Sequence, residues 1–148
     1  MQTNQNKLLK IYIDENMAPQ LARAMDIIQE HLNSEEKKAI KVLSLKDVFG
    51  EGTKDEEWIP IVGKEKGIVI TQDRRIQFSR HQRELYMQHG VGIIFLKSQK
   101  TGMSFWQMFN HIVRWWDDIK IIARKHTPPF SYRQPGSNLK FVEWQGEE

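Results

Sequence analysis

Three acidic positions in this sequence fall where a parallel α/β sheet would gather its functional groups. Asp14 follows an apolar run at residues 8–13, Asp55 opens an apolar-periodic segment, and Asp73 follows a short β-branched run at residues 67–71. In open α/β sheets the ligand crevice lies outside the carboxyl ends of the strands. Separated carboxylates around one crevice suit Mg²⁺ or Mn²⁺. Two such ions can clamp the attacking and leaving oxygens of a phosphodiester, so the pattern indicates metal-dependent phosphoryl chemistry.

The same acidic residues also have structural interpretations. Asp14 is a suitable cap for the helix predicted after it. Thr53 and Glu56 match the spacing of a capping box, and acidic residues in a first turn suit the positive end of a helix. From spacing alone, capping and metal binding therefore both remain open.

A basic segment follows the third acidic position. Arginines can hold backbone phosphates through forked hydrogen bonds, although a solvated helix face is the common alternative. The arginines are Arg74, Arg75, Arg80 and Arg83. The five histidines show no paired ligand spacing, so none is expected to bind metal, and His81 within the basic segment is expected to be solvated.

The elements that position these residues are predicted from hydrophobic periodicity. Strands and helices alternate: a strand to residue 13, helix 17–32, a strand at 40–45, a helix from residue 55, a strand at 67–71, a helix after residue 74, a strand at 91–96 and a helix from Ser104 to about Arg124. Residues 129–145 alternate around Pro135–Asn138 and predict a hairpin. The order predicts an α/β fold with a mostly parallel sheet and right-handed crossovers.

Bulk properties exclude several classes of protein. The 148 residues suit one domain, 1–148, with a core at about 8–126 and the hairpin as an extension. There are no cysteines, which excludes disulfide and thiolate sites and suits a cytoplasmic location. No apolar run approaches the roughly 20 residues of a membrane span. The net charge of +3 gives only weak overall attraction to nucleic acid.

Three motifs together resemble the PIN-like domain family, especially the PIN-like toxins of VapC-type toxin–antitoxin pairs. The sequence Tyr12–Asn16 resembles the family's opening strand with its first acidic residue. The sequence Asp55–Ile59 resembles the acidic start of the middle helix, and Ile70–Asp73 resembles the strand end with the third acidic residue. The resemblance covers about residues 8–97 and implies a three-layer α/β/α sandwich.

The resemblance implies a metal-dependent endoribonuclease that a cognate antitoxin silences. Asp14, Asp55 and Asp73 would hold Mg²⁺ or Mn²⁺. Asn16 would orient Asp14 or touch a phosphate, and the four arginines would contact RNA. Relatives often carry a further aspartate two positions after the third acidic residue, where this chain has Arg75, which would weaken metal binding unless Glu56 turns inward to compensate.

Two alternatives stand beside the nuclease hypothesis. One is a non-catalytic nucleic-acid-binding or protein-interaction module on the same fold. The other is a phosphoacceptor domain resembling a response-regulator receiver, with Lys97 near a strand end. The adjacent Trp115 and Trp116 cannot share one narrow helix face, so one is expected in the core and the other over a loop or a partner. That partner would be an antitoxin segment or, in a homodimer, a second protomer.

Overall fold

A computed structural model describes residues 8–73, 80–98 and 102–144, except for the side chains of Asp73 and Arg80. Helices and strands alternate in the predicted order, with one additional short helix. The strands are β1 (Leu9–Ile13), β2 (Ile40–Ser44), β3 (Ile68–Asp73), β4 (Gly92–Lys97), β5 (Phe130–Arg133) and β6 (Val142–Glu143). The helices are α1 (Pro19–Asn33), α2 (Leu45–Phe49), α3 (Asp55–Lys64), α4 (Arg80–His89) and α5 (Phe105–Lys125).

The strands form one mixed sheet in the order β2-β1-β3-β4-β5-β6. The first five strands of this order pair in parallel, and β6 pairs antiparallel to β5. The α/β class, the mostly parallel sheet and the C-terminal hairpin are therefore confirmed. None of the described helices is both long and apolar enough to cross a membrane.

Buried side chains fill both faces of the sheet, because alternate strand residues point to opposite sides. On one face, Ile11, Ile13 and Ile70 pack with α1 and α5. On the other face, Tyr12 and Val69 pack with α2, α3 and α4. The central strands are apolar on both faces, as expected for parallel strands covered by two helix layers. The result is the three-layer α/β/α arrangement.

The crossovers do not all have the same hand. The connections β3–α4–β4 and β4–α5–β5 step in the same direction across the sheet, but α4 and α5 lie on opposite faces. Parallel connections of this kind have opposite hands. The connections through α1, α3 and α4 share one hand, and the connection through α5 has the opposite hand. The expectation that all crossovers are right-handed is therefore wrong for the α5 connection. Buried contacts with α1 hold α5 on its face.

Those contacts also correct the predicted faces of α1 and α5. The three- and four-residue spacing of Leu21, Met25 and Ile28 predicts that Ile28 lies on the core face of α1, but Ile28 is exposed and Gln29 is buried instead. The Gln29 side chain accepts hydrogen bonds from the Trp116 indole at 3.0 Å and the Lys120 ammonium at 3.3 Å. On α5, Val113 is likewise exposed. A buried polar network between the two helices therefore sets the helix rotation.

Both adjacent tryptophans are buried within the chain, Trp115 at 7% exposure and Trp116 at 5%. The Trp115 indole donates to the Ser137 carbonyl at 3.2 Å and packs edge-on against Phe141. Trp115 thus covers the hairpin loop, one of the two roles expected for it. Neither tryptophan offers a surface to an antitoxin or a second protomer.

Two predicted features of the segment before Asp55 are wrong. Residues 47–49 lie between the predicted strand at 40–45 and the predicted helix from residue 55, a stretch whose polar residues and two glycines predict a loop. They belong instead to α2, which the Ser44 hydroxyl caps by accepting from the Asp47 amide at 3.2 Å. The Thr53–Glu56 capping box is absent, because the Thr53 hydroxyl donates to the carbonyls of Phe49 and Gly50. The N-cap of α3 is Lys54, which provides no side-chain cap. A capping box does form at Ser104 and Gln107, where α5 is predicted to begin.

Candidate active site

The sheet reverses its strand order between β1 and β3. From β1 the chain moves to β2 on one side, and β3 lies on the other side. A crevice for ligands forms outside the carboxyl ends of strands at such a point. Asp14 follows β1 directly, and its backbone amide donates to the Ile70 carbonyl of β3 at 3.0 Å. Asp73 is the last residue of β3 and pairs with Lys97 of β4 in the register.

The Asp14 carboxylate is held in place by three donors. The Thr71 hydroxyl donates to Oδ2 at 3.0 Å, and the backbone amides of Glu15 and Asn16 also bond the carboxylate. Burial nevertheless dominates and raises the pKa of Asp14, with a further contribution from the nearby Glu15 charge, while the three hydrogen bonds lower it. Asp14 is therefore a fixed carboxylate whose charged form is incompletely solvated.

Asp55 reaches the same edge of the sheet from α3. It is the first residue of that helix, and its Oδ2 accepts a hydrogen bond from the Gln82 amide of α4 at 3.1 Å. Its neighbours Glu56 and Glu57 are exposed. The first turn of α3 thus directs one carboxylate of three toward α4, where Gln82 fixes it.

Tyr86 shows that Asp14 and Asp55 face a common region. This tyrosine lies one helical turn after Gln82 and is buried, and its ring packs 5.8 Å from that of Trp58. Burial raises the pKa of Tyr86 most, and the charges of Asp55 and Asp14 raise it further. The two carboxylates, which are far apart in sequence, therefore act on one buried phenol that stays protonated at neutral pH.

Within the described part of the chain, these two carboxylates have no basic partner. Among the described residues, neither Asp14 nor Asp55 forms an ion pair. The described side chains also contain no group of three or more His, Asp or Glu that could hold a metal ion. Exposed Glu56 is therefore not gathered with Asp14 and Asp55. The Asp73 side chain, the third expected ligand, lies outside the described part of the structure.

The predicted RNA-contacting residues have different positions. Arg83 lies on α4 beside Tyr86, and its Nε is buried with no hydrogen-bond partner in the described ranges. The Asn16 side chain is exposed, while its backbone amide orients Asp14. The predictions for Arg74 and Arg75 fall outside the described residues. For Arg80 only the backbone is described, as the first residue of α4, and neighbouring His81 is exposed as expected.

Three residues of the site were not predicted from sequence. Thr71 donates a hydrogen bond to Asp14, and Gln82 donates one to Asp55. The third residue is Tyr86, on which the charges of both carboxylates act. The available signal was the four-residue separation of Gln82 and Tyr86, which places both on one side of a helix. Periodicity cannot show that this side faces Asp55, because that contact depends on how α3 and α4 pack.

Comparisons with known proteins agree with this arrangement. A family model described as PIN like domain matches residues 9–98. The match begins at β1 and ends just after β4, so it includes all three acidic positions and both helices around Tyr86. The comparisons with curated proteins and with solved structures found no match.

Proposed function

This chain belongs to the PIN-like domain family, and we propose that it is a metal-dependent endoribonuclease, the toxin of a toxin–antitoxin pair. PIN-like domains are typically nucleases. The observation that carries the proposal is that the charges of Asp14 and Asp55 both act on buried Tyr86, at the sheet edge where β3 ends in Asp73. This edge lies within the matched segment.

The donor set fits a hard divalent cation. Asp14 is a partly buried carboxylate with a raised pKa and no ion pair among the described residues, so a bound cation would supply the missing positive charge. Asp14, Asp55 and Asp73 would hold Mg²⁺ or Mn²⁺, and exposed Glu56 would serve only if its side chain turned inward. When bound, the metal would activate water and neutralise charge on the phosphodiester.

The chain's own residues would prepare the site for RNA. Thr71 and the backbone amides after Asp14 fix one ligand, and Gln82 fixes Asp55. Arg83 is one proposed phosphate contact, since arginine can bind phosphate through forked hydrogen bonds; its Nε is buried and has no hydrogen-bond partner among the described residues. The other proposed phosphate contacts are Asn16, Arg74, Arg75 and Arg80.

The cellular role follows from the resemblance to PIN-like toxins. We propose a cytoplasmic protein that a cognate antitoxin silences, with no membrane partner. The burial of Trp115 and Trp116 removes them as an antitoxin surface or a homodimer interface, so the antitoxin would bind elsewhere. The alternative remains a non-catalytic binding module, in which the acidic edge is purely structural.

RNA cleavage by the purified protein tests the proposal. We expect cleavage with Mn²⁺ or Mg²⁺, its loss in chelator, and a reduction of at least about a hundredfold in Asp14→Asn and Asp73→Asn. Removing a ligand weakens the metal site on which the chemistry depends. Glu57→Gln is the matched control, because it removes an exposed carboxylate from the same helix turn as Asp55 and should retain activity.

Other outcomes separate the alternatives. Failure of the native protein to cleave several RNA substrates, after removal of any bound antitoxin, would favour the non-catalytic module. Cleavage that survives both aspartate substitutions would indicate a contaminating nuclease. Labelling by a small phosphodonor would instead support the receiver-like hypothesis. Glu56→Gln decides the role of Glu56, since an exposed residue outside the metal site should leave cleavage unchanged.

A further inference from the structure

An exposed aromatic group stands at the beginning of α5. Trp106 is 67% exposed, and it contacts Phe105 at 5.5 Å and Phe109 at 6.1 Å between ring centroids. Both contacts are nearly perpendicular, at 86° and 77° between ring planes. Edge-on neighbours together with this exposure leave an indole face open to solvent. The Ser104–Gln107 capping box fixes the helix turn that carries Trp106.

The fold places this tryptophan at the edge of the sheet that carries the carboxylates. The α5 helix begins after the carboxyl end of β4, and α1 and α3 begin after the carboxyl ends of β1 and β2. Phe109 packs against the same core cluster as Met17, which lies three residues after Asp14. Trp106 is therefore on the α1–α5 side of the crevice, while Asp55 and Tyr86 are on the α3–α4 side.

The charges along the first three turns of α5 suit a polyanion. The α5 helix has no acidic residue before Asp117, and its first turn carries the positive end of the helix dipole. Lys97 ends β4 at the same edge. A protein partner could also use the exposed aromatic rings of this helix face. A nucleic-acid base stacked on Trp106 would differ in bringing a negatively charged phosphate on each side of it. The absence of carboxylates from three successive turns favours the nucleic acid.

We propose that Trp106 is a stacking platform for an unpaired base of the RNA strand that enters the carboxylate crevice. This proposal rests on the proposed ribonuclease function and assigns its substrate a single-stranded segment that crosses the sheet edge from α5 to α3. Stacking on an indole tolerates any base, because every base has a π-face. Trp106 would thus position RNA without reading its sequence.

RNA binding by the full chain in chelator tests the platform separately from cleavage. The probe is a short dye-labelled single-stranded RNA, and the readout is its dissociation constant for the native protein, Trp106→Ala and Trp106→Phe. We expect affinity to fall about tenfold in Trp106→Ala and less in Trp106→Phe, which keeps a smaller aromatic face. Ile27→Ala is the matched control. Ile27 is 70% exposed, but it lies in the middle of α1, away from the sheet edge that carries the carboxylates.

The two proposals fail in different ways. A native chain that cleaves RNA, with Trp106→Ala binding as tightly as Ile27→Ala, would overturn the platform and leave the nuclease standing. A native chain that does not cleave, but loses RNA affinity in Trp106→Ala, would retain the platform without the nuclease. Absence of any RNA binding, or a Trp106→Ala defect confined to association with a co-expressed protein, would overturn the platform. Thermal unfolding of each variant checks that the exposed substitutions leave the fold intact.

Discussion

Asp14, a proposed metal ligand, lies in an environment that disfavours its charged form. Burial raises its pKa above that of aspartate in the unfolded chain, so the folded state binds the proton more tightly. The resulting stabilisation is complete below the unfolded pKa and is lost as pH rises through the folded pKa. We therefore expect Asp14→Asn, without divalent metal, to unfold at higher denaturant concentration than the native protein at pH 7. The difference should disappear in acid, where the native carboxyl is protonated.

The matched control at this scale is Glu57→Gln, whose exposed carboxylate should change stability little at any pH. Added Mn²⁺ should raise the melting temperature of the native protein but not that of Asp14→Asn, because binding stabilises only a folded state that can hold the ion. Equal metal stabilisation of both proteins would remove Asp14 from the proposed site. A less stable Asn variant at pH 7 would mean that the hydrogen bonds to the carboxylate outweigh its burial.

At the scale of elements, the packing of α3 against α4 aligns Asp55 with Gln82 and Tyr86. The helices approach closely at Gly63, where an added Cβ would overlap the His89 backbone carbonyl. We expect Gly63→Ala to cost about 1–3 kcal/mol of unfolding free energy, because the backbone cannot move aside as a side chain can. The same variant should bind Mn²⁺ more weakly, since displacing α4 separates Gln82 from Asp55.

Chemical denaturation and metal titration measure both effects, and Gly136→Ala is the control for this substitution. Its added Cβ would meet only the flexible Leu139 side chain, at 3.2 Å. A small loss of stability in both variants would show that α3 and α4 adjust without strain. Normal metal binding by a destabilised Gly63→Ala would separate the helix packing from the site.

Across the whole molecule, Glu36 connects the loop after α1 to α5, 84 residues later. It accepts from Lys120 and from Arg124, each at 2.7 Å. Burial raises its pKa, but hydrogen bonds from Lys120, Arg124 and Gln29 outweigh burial and lower the pKa from 4.5 to about 2. Its stabilisation is therefore present above the unfolded pKa and is lost as pH falls through about 2.

Glu36→Gln should cost about 3 kcal/mol at neutral pH, because the buried Lys120 ammonium loses its close carboxylate. It keeps only the neutral Gln29 amide oxygen at 3.3 Å and the exposed Asp117 carboxylate at 3.9 Å among the described residues. The difference from the native protein should shrink between pH 4.5 and about 2, as the native Glu36 becomes protonated. Urea unfolding across this range measures it. Exposed Glu35 provides the control, and an equal effect of Glu35→Gln would show that general surface charge, and not the helix connection, determines the stability.

By itself the sequence determined the elements and the positions of the acidic residues. The strand end before Asp14, the start of α5 at Ser104 and the terminal hairpin are local patterns, because hydrophobic periodicity and turn residues act over a few positions. The predicted strand end at residue 71 is wrong by two residues, since β3 continues to Asp73. The α/β class follows from their order. The sequence did not determine which helix caps form, since the capping box predicted from Thr53 and Glu56 is absent.

Only the tertiary structure decided which faces meet. Gln29, not Ile28, enters the core because Trp116 and Lys120 satisfy its buried amide. Asp55 accepts a hydrogen bond from Gln82, and the charges of Asp14 and Asp55 both raise the pKa of Tyr86, because α3 and α4 pack on the same side of β3. The α5 connection takes the opposite hand because its buried partners lie on α1. Such choices depend on contacts between residues distant in the chain, which no local spacing encodes.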